Sequence, residues 1–168
     1  MEELKRLKTI SAVRGKPYTL RVVWRDGRRD TVDMTGVVHR LAAFAPLRDP
    51  AWFRKVRVIA DGLGIGWNGG LDYSARSLRL LAEEQRTLSG ADLVEFERKA
   101  GLTTRETAQI FDVAPRTVAS YRRSARLPRA IGSMLRSLRS DPAVLAAYYR
   151  PLSRPRGRPR KVVGAANA

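Results

Sequence analysis

The sequence predicts an α+β protein with two folded domains and a basic tail. Residues 1–86 contain β-branched and aromatic runs separated by turn sequences, which predicts a small α+β domain of two β-hairpins and short helices. Residues 88–150 show the three- and four-residue apolar spacing of helices, which predicts an all-α domain. Residues 151–168 have no periodicity and end in small residues, so we expect a disordered tail.

Charge and composition indicate the class of partner. The 168 residues include 33 lysines and arginines against 16 aspartates and glutamates, a formal net charge of +17. This excess favours an anionic partner, nucleic acid before an acidic membrane. No apolar run approaches the roughly 20 residues that span a bilayer, and the N-terminus lacks the apolar stretch of a signal peptide. We expect a cytoplasmic, nucleoid-associated protein that binds double-stranded DNA and no membrane.

Two Asp-Gly turn signals place the predicted hairpins. The first, at 26–27, separates the strand-forming runs "YTLRVVW" and "RRDTVDM", and this dipeptide favours a tight hairpin turn. The second, at 61–62, lies within "VRVIADGLGIGWN". Trp24, Trp52 and Trp67 lie in apolar strand or helix settings, so we expect them in the core of this domain.

Capping residues predict two short helices in the same domain. Asp49 followed by Pro50 is typical of a helix N-terminus, so "PAWFRKV" is expected to be helical. Ser74 precedes the run "ARSLRLLAEEQ" and is expected to cap it, with Leu78, Leu81 and Ala82 on one face.

The stretches "YTLRVVWRDGRRDTVDMTG", "FAPLRDPAWFRKVRV" and "IGWNGGLDYSARSL" resemble the family catalogued as domain of unknown function 2442. The resemblance covers roughly residues 15–82 and implies a small α+β domain without an established activity. Ser74 stands where many members carry proline. Some members lie in bacterial toxin–antitoxin-like pairs, which implies a protein partner for this domain.

No set of residues points to catalysis, a cofactor or a metal. The chain has no cysteine and His39 is its only histidine, which leaves no ligand pair typical of zinc. "GIGWNG" matches a dinucleotide-binding pattern, but it lies in a predicted hairpin rather than a βαβ unit. Glu83 and Glu84 are adjacent on a helix and do not face one another. We therefore expect a protein that is not an enzyme and needs no cofactor.

The sharpest pattern is "GLTTRETAQIFDVAPRTVASYRR". Gly101 predicts the end of one helix, and Thr103 or Thr104 begins the next, with Glu106 placed to complete a capping box. The turn "DVAP" leaves about four residues before a third helix, predicted over 114–124. So short a connection forces a tight crossing of two helices, which is the helix-turn-helix arrangement.

This segment resembles the Xre-type repressor family in its glycine–leucine entry, in the small Ala108 of helix two and in the apolar Val118 of helix three. The resemblance covers about 60 residues and implies that helix three enters the major groove of DNA. Arg122 and Ser124 stand where many members have glutamate and glycine, which makes the end of this helix more basic. Transferred residue by residue, the resemblance implies base contacts from Pro115, Arg116, Thr117 and Ser120.

The chemistry of these side chains suits the implied roles. Arg116 can bond O6 and N7 of a guanine together, and Thr117 can meet a thymine methyl group. Seven arginines and no acidic residue lie between positions 115 and 140, which favours contacts to phosphates. The expected phosphate contacts are Thr104, Tyr121, Arg122, Arg123 and Arg126. For the ring of Tyr121, a place in the helical core is the alternative.

Two further helices are predicted after the helix-turn-helix. In "LPRAIGSMLRSL" the apolar residues recur at spacings of three and four, and "DPAVLAAYYR" is expected to bury Val144, Leu145 and Tyr148. These apolar faces can pack on the helical core or form a homodimer interface, and both alternatives stay open.

The tail contains "RPRGRPRK", which resembles the AT-hook of chromatin-associated proteins. Prolines hold such a chain extended, and glycine lets its backbone approach the floor of a groove. A tail that only keeps the protein in solution is the alternative. The resemblance implies that five residues follow an A·T-rich minor groove: Arg156, Gly157, Arg158, Pro159 and Arg160.

The predicted function is that of a bacterial, sequence-specific DNA-binding transcriptional regulator. A helix-turn-helix would read the major groove and the basic tail would add contacts in the minor groove. The alternative is an antitoxin-like component of a toxin–antitoxin pair. In that case the N-terminal domain would bind a partner protein, and the helical domain would autoregulate transcription.

Overall fold

The computed structural model describes residues 6–151 and divides the chain into two compact units. The first unit ends at Arg86 and the second begins at Thr87. Each unit has its own cluster of buried apolar side chains. Two small antiparallel sheets with short helices form the first unit and helices form the second, so the α+β fold class is confirmed.

The first predicted hairpin belongs to a three-stranded antiparallel sheet. In spatial order its strands are β1 (Leu7–Ala12), β2 (Thr19–Trp24) and β3 (Arg29–Asp33). The turn between β2 and β3 lies where the sequence predicts it, and the Asp26 carboxylate accepts a hydrogen bond from the backbone N–H of Arg28 at 2.9 Å. The sequence does not predict β1, because a bulge between Leu7 and Thr9 breaks its alternation.

The second predicted hairpin also gains a third strand. This sheet consists of β4 (Arg57–Ile59), β5 (Gly64–Gly66) and β6 (Asp72–Ser74). A 3₁₀ turn, Ala60–Gly62, joins β4 to β5, and Asp61 has a positive φ of 52°. A Cβ on Gly62 would lie 2.4 Å from the carbonyl oxygen of Leu7, so this position accepts only glycine. The sequence misses β6 because three residues are too few to show an alternation.

Short helices connect and cover the two sheets. They are α1 (Thr35–Arg40), a 3₁₀ helix (Ala42–Arg48), α2 (Pro50–Phe53) and α3 (Ala75–Gln85). Both predicted caps are present: the Asp49 carboxylate accepts from the N–H of Ala51, and the Ser74 hydroxyl accepts from the N–H of Ser77. These bonds satisfy backbone donors that have no partner within the helix.

The tryptophans lie in the core of the first unit, as predicted. Trp24 and Trp67 are fully buried, and Trp52 is partly buried against the same cluster. The indole N–H of Trp67 donates to the carbonyl oxygen of Phe53 at 2.8 Å, and that of Trp24 donates to the Asp30 carboxylate at 2.6 Å. Each fully buried indole N–H therefore has a hydrogen-bond acceptor, which burial requires.

Among residues 87–151, five helices form the second unit. They are α4 (Gly90–Ala100), α5 (Thr104–Ile110), α6 (Pro115–Arg122), α7 (Arg129–Ser140) and α8 (Pro142–Tyr148). Gly101 ends α4 in the left-handed conformation, with φ 66°, as predicted. Val144 and Leu145 pack partly buried on the core, but the expected burial of Tyr148 is wrong because its side chain is 52% exposed. Among residues 6–151, no helix is long and apolar enough to cross a membrane.

Gly90, the first residue of α4, marks a close approach between backbones. A Cβ at this position would lie 2.3 Å from the carbonyl oxygen of Arg122 and 2.4 Å from that of Tyr121. The N–H of Gly90 donates to the carbonyl oxygen of Ser124 at 2.8 Å. The start of α4 is therefore pressed against the end of α6, and any side chain at Gly90 would force the two apart.

We expect Gly90→Ala to destabilise the second unit by about 1–3 kcal/mol, because the new methyl group would overlap carbonyl oxygens that cannot rotate away. Gly132→Ala is the matched control, since its Cβ would meet only the Arg136 side chain at 4.0 Å. That change should be neutral or stabilising, because alanine favours a helix over glycine by about 1 kcal/mol.

Urea unfolding measured by two signals tests this expectation. All three tryptophans lie in the first unit, so tryptophan fluorescence follows that unit, whereas far-ultraviolet circular dichroism follows the helices of both. Gly90→Ala should lower the midpoint seen by circular dichroism. Equal stabilities of the Gly90→Ala and Gly132→Ala variants would contradict the close approach.

Candidate nucleic-acid interface

The start of α5 is fixed by a capping box, as the sequence predicts. The Thr103 hydroxyl accepts from the N–H of Glu106 at 3.3 Å, and the Glu106 carboxylate accepts from the N–H of Thr103 at 2.8 Å. The same carboxylate accepts from the hydroxyl of Tyr149 at 2.9 Å. The hydrogen bonds from Thr103, first its N–H and then its hydroxyl, hold the pKa of Glu106 below its ordinary value, and Tyr149 lowers it further.

Four residues, 111–114, connect α5 to α6. Asp112 turns the chain with a positive φ of 53°, and the N–H of Val113 donates back to the carbonyl oxygen of Ala108 at 2.9 Å. Ala108 and Val118 are buried where α5 and α6 meet. The small residue and the apolar residue therefore occupy the helix contact that their spacing predicts.

The predicted base-contacting residues lie together on the N-terminal half of α6. Pro115, Arg116 and Ser120 are exposed, and Thr117 is half-buried. Arg116 and Ser120 are four residues apart, so they occupy one face of the helix. Thr104, the first residue of α5, is half-buried.

Several arginine side chains on and after α6 carry unneutralised charge. Within residues 6–151, no hydrogen bond or ion pair engages the guanidinium group of Arg116, Arg123 or Arg126. All three side chains are exposed. A solvent-facing group of unpaired guanidinium groups attracts anions, and phosphates are the anions that arginine binds with the best geometry.

Arg122 has a role that the sequence does not predict. Its Nε and Nη2 atoms donate to the two carboxylate oxygens of Glu97 at 2.8 and 2.9 Å, and Glu97 is only 5% exposed. The hydrogen bonds to Glu97 raise the pKa of Arg122 further above its ordinary value. The ion pair shows that Arg122 packs α6 on α4, and the phosphate contact predicted for this residue stays a prediction.

Two other residues, Tyr121 and Arg105, bear on the predicted set of phosphate contacts. Tyr121 is half-buried and packs against the apolar core of the second unit, so at most part of its ring faces solvent. Arg105, which the sequence analysis does not single out, follows Thr104 on α5 and is exposed without an ion pair among the described residues. The signal that could have identified it is its place in the first turn of the helix, directly beside the predicted phosphate contact.

The predicted minor-groove contacts of the tail are the remaining part of the set. The five tail residues at positions 156–160 lie outside the described residues. In the described part of the chain, no group of three or more histidine, cysteine, aspartate or glutamate residues could hold a metal ion.

Comparison with protein families identifies the first unit. Residues 10–84 match the family described as "Protein of unknown function (DUF2442)". The N-terminal unit therefore contains a DUF2442 domain, and the resemblance seen over residues 15–82 is confirmed. The match ends before the second unit, so the helix-turn-helix assignment of residues 88–150 stays a prediction.

The comparison with solved structures found a similar chain. The protein described as "Putative DNA Binding Protein NE0471" from Nitrosomonas europaea ATCC 19718 matches at 24% sequence identity, with a TM-score of 0.44. The match covers 75% of this chain and 81% of that chain. The comparison with curated proteins found no match.

We expect Arg122→Met to lower the free energy of unfolding of the second unit by about 2–4 kcal/mol, because the Glu97 carboxylate would stay buried without its partner. Exposure of the arginine end keeps the expected effect below that of a fully enclosed pair. Replacing both residues, Glu97→Met with Arg122→Met, should recover much of the loss, since no charge is then left buried.

Arg123→Met is the matched control for this prediction, because the neighbouring guanidinium has no partner and its loss should change stability by no more than about 0.5 kcal/mol. Urea unfolding followed by circular dichroism measures all three variants. If Arg122→Met and Arg123→Met destabilise equally, the ion pair does not hold α6.

Proposed function

We propose that this protein is a DNA-binding transcriptional regulator that acts through its second unit. In this proposal α5 and α6 are the two helices of a helix-turn-helix, and α6 lies in the major groove. The observation that carries the proposal is the combination of a four-residue connection with exposed, unpaired arginines on and directly after the second helix of the pair. Each feature occurs in proteins of many kinds, but together they match the requirements of groove reading.

Base recognition is assigned to the N-terminal half of α6. Arg116 is long, exposed and free of an internal partner, so its guanidinium can bond O6 and N7 of one guanine. Ser120 lies one turn further along the same face, where its hydroxyl can bond a base or a phosphate. Thr117 offers its methyl group to a thymine, and Pro115 begins the helix at the point nearest the bases.

Phosphate contacts are assigned to residues that flank this surface. Arg123 and Arg126 follow the last turn of α6, and both are exposed and unpaired. Contacts of this kind hold the protein in register on DNA without reading sequence, and they make affinity depend steeply on salt. Thr104, through its hydroxyl, and the exposed part of Tyr121 complete the proposed set.

The tail is proposed to add a second mode of contact. Its "RPRGRPRK" segment carries five positive charges in eight residues and suits the narrow, strongly negative minor groove of A·T-rich DNA. Because it belongs to the same chain, its local concentration near bound DNA would be high. The protein would act by occupying its operator rather than by catalysis.

We expect Arg116→Ala to reduce discrimination between the selected duplex and unrelated duplexes by about 1–3 kcal/mol, since one bidentate base contact is lost. Arg123→Ala should instead weaken all duplexes similarly and reduce the slope of log affinity against log salt by about 0.9. Fluorescence anisotropy with a duplex selected from a random pool, at several salt concentrations, measures both quantities.

Arg40→Ala removes the same charge from the first unit and serves as the control for overall electrostatics. If Arg116→Ala weakens selected and unrelated duplexes to the same extent, the base contact is wrongly assigned. If no duplex binds even at low salt, the proposed function fails.

We further expect deletion of residues 151–168 to weaken binding to A·T-rich duplexes more than to G·C-rich duplexes, and to flatten the salt dependence. The reason is that several arginine–phosphate and minor-groove contacts would be lost together. The same anisotropy titrations measure this. Unchanged affinity and slope would show that the tail does not contact DNA.

A further inference from the structure

One face of the sheet formed by β1, β2 and β3 carries no covering element among the described residues. Side chains alternate across a strand, so Leu20, Val22 and Trp24 of β2 point into the core and the residues between them point away. We call the outward side the open face. It consists of Thr9, Ser11, Arg21, Val23, Arg29 and Thr31, of which all but the half-buried Val23 are exposed.

The arginines of the first unit are of two kinds, those with an ion pair and those without one. Several arginines elsewhere in the unit are neutralised: Arg28 pairs with Asp30 at 3.0 Å, and Arg79 pairs with Asp26 at 2.7 Å, whereas Arg40 and Arg54 are exposed and have no ion pair among the described residues. Asp61 neutralises two more arginines, because its carboxylate accepts hydrogen bonds from both Arg6 and Arg25. On the open face, by contrast, no hydrogen bond or ion pair within residues 6–151 engages Arg21 or Arg29.

Strand register places these two guanidinium groups in a polar setting. Arg21 in the central strand lies between Ser11 of β1 and Thr31 of β3. Arg29 lies opposite Val23, so it is a diagonal neighbour of Arg21, about 7–8 Å away. Both arginines can therefore extend from one small surface without crowding each other.

Among the described residues of the three strands, a single carboxylate lies on this side of the sheet. Asp33 lies at the end of β3, and its side chain accepts from the backbone N–H of Thr35 at 2.8 Å. Arg21 and Arg29 outnumber this one carboxylate, so the net charge of this side of the sheet is positive. Residues 1–86 carry 17 lysines and arginines against 10 aspartates and glutamates, so the positive excess of the chain is not confined to the second unit.

We propose that the open face binds the phosphate backbone of double-stranded DNA, as a contact separate from α6. Guanidinium groups and serine and threonine hydroxyls are the side-chain donors that proteins direct at phosphates. The face is two strand spacings across, about 10 Å, and its short hydroxyl side chains let a phosphate backbone come close to the sheet. The unit thus presents two arginines and three hydroxyls to one polyanion.

A protein partner fits this surface less well. The centre of a protein–protein interface is depleted in charged residues and serine and is rich in aromatic residues, whereas the open face has no aromatic residue and only one apolar side chain, Val23. Without an apolar anchor, binding must come from charge and hydrogen bonds, and nucleic acid supplies the matching negative charge.

The test compares two double variants of the full-length protein. Arg21→Ser with Arg29→Ser removes the paired charges of the open face, and Arg40→Ser with Arg54→Ser removes two exposed charges elsewhere in the same unit. For an unrelated duplex, the open-face variant should reduce the salt slope by about 1.8 and weaken binding roughly ten- to a hundredfold at 100 mM salt. The control variant should change both quantities far less.

Equal effects of the two double variants would overturn the proposal, because they would show only a response to net charge. No effect of the open-face variant on duplex binding would overturn it as well, and would leave that face to a protein partner. Thermal unfolding of both variants checks that the fold is intact, which exposed side chains on a strand should not disturb.

A third variant separates this proposal from the function proposed for α6. Arg116, Arg123 and Arg126 are replaced by alanine together, and the open-face changes are then added. If duplex binding remaining in the triple variant at low salt falls further with the open-face changes, two separate contacts exist. If the triple variant binds like the unchanged protein while the open-face variant does not, α6 is wrongly assigned and the open face stands.

Discussion

The orientation of α6 depends on how its C-terminal end is held against α4. Gly90 allows the two backbones to touch, and the buried Glu97 binds Arg122 through both carboxylate oxygens. Close packing at one point and a bidentate ion pair at another fix a helix in both position and rotation. Every side chain proposed to read a base lies on this helix, so the positions of those side chains follow from the contact at its C-terminal end.

Both units use arginine in two distinct ways. Some guanidinium groups are neutralised by nearby carboxylates and act as structural residues, as Arg79 does where it pairs with Asp26 and lies 5.0 Å from the centre of the Trp24 ring. Others, such as Arg116 and Arg21, have no internal partner in the described chain. Composition counts these groups alike, and only the structure shows which positive charges remain for an external anion.

Sequence signals within a few residues predicted much of this structure. The capping box at Thr103, the left-handed Gly101 and the hairpin turn at Asp26 depend on neighbours that the sequence shows directly. The pairing of Arg122 with Glu97 spans 25 positions, so no local pattern contains it. Strand β1 was not predicted for a similar reason. It forms by pairing with β2, and its own sequence shows no clear alternation of apolar and polar residues. The helix-turn-helix, the tail and the antitoxin-like alternative stay predictions.

The hydrogen bond from Tyr149 to Glu106 ties the end of the last helix to the start of α5. The distance that the following chain can span is therefore measured from Tyr149, the last residue that this hydrogen bond anchors. Arg156 lies seven positions beyond Tyr149, and even a fully extended chain covers no more than about 25 Å over that length. Arg160 lies eleven positions beyond Tyr149, where the corresponding limit is about 40 Å. These two lengths bound the DNA surface that the proposed tail contacts could reach from the capping box.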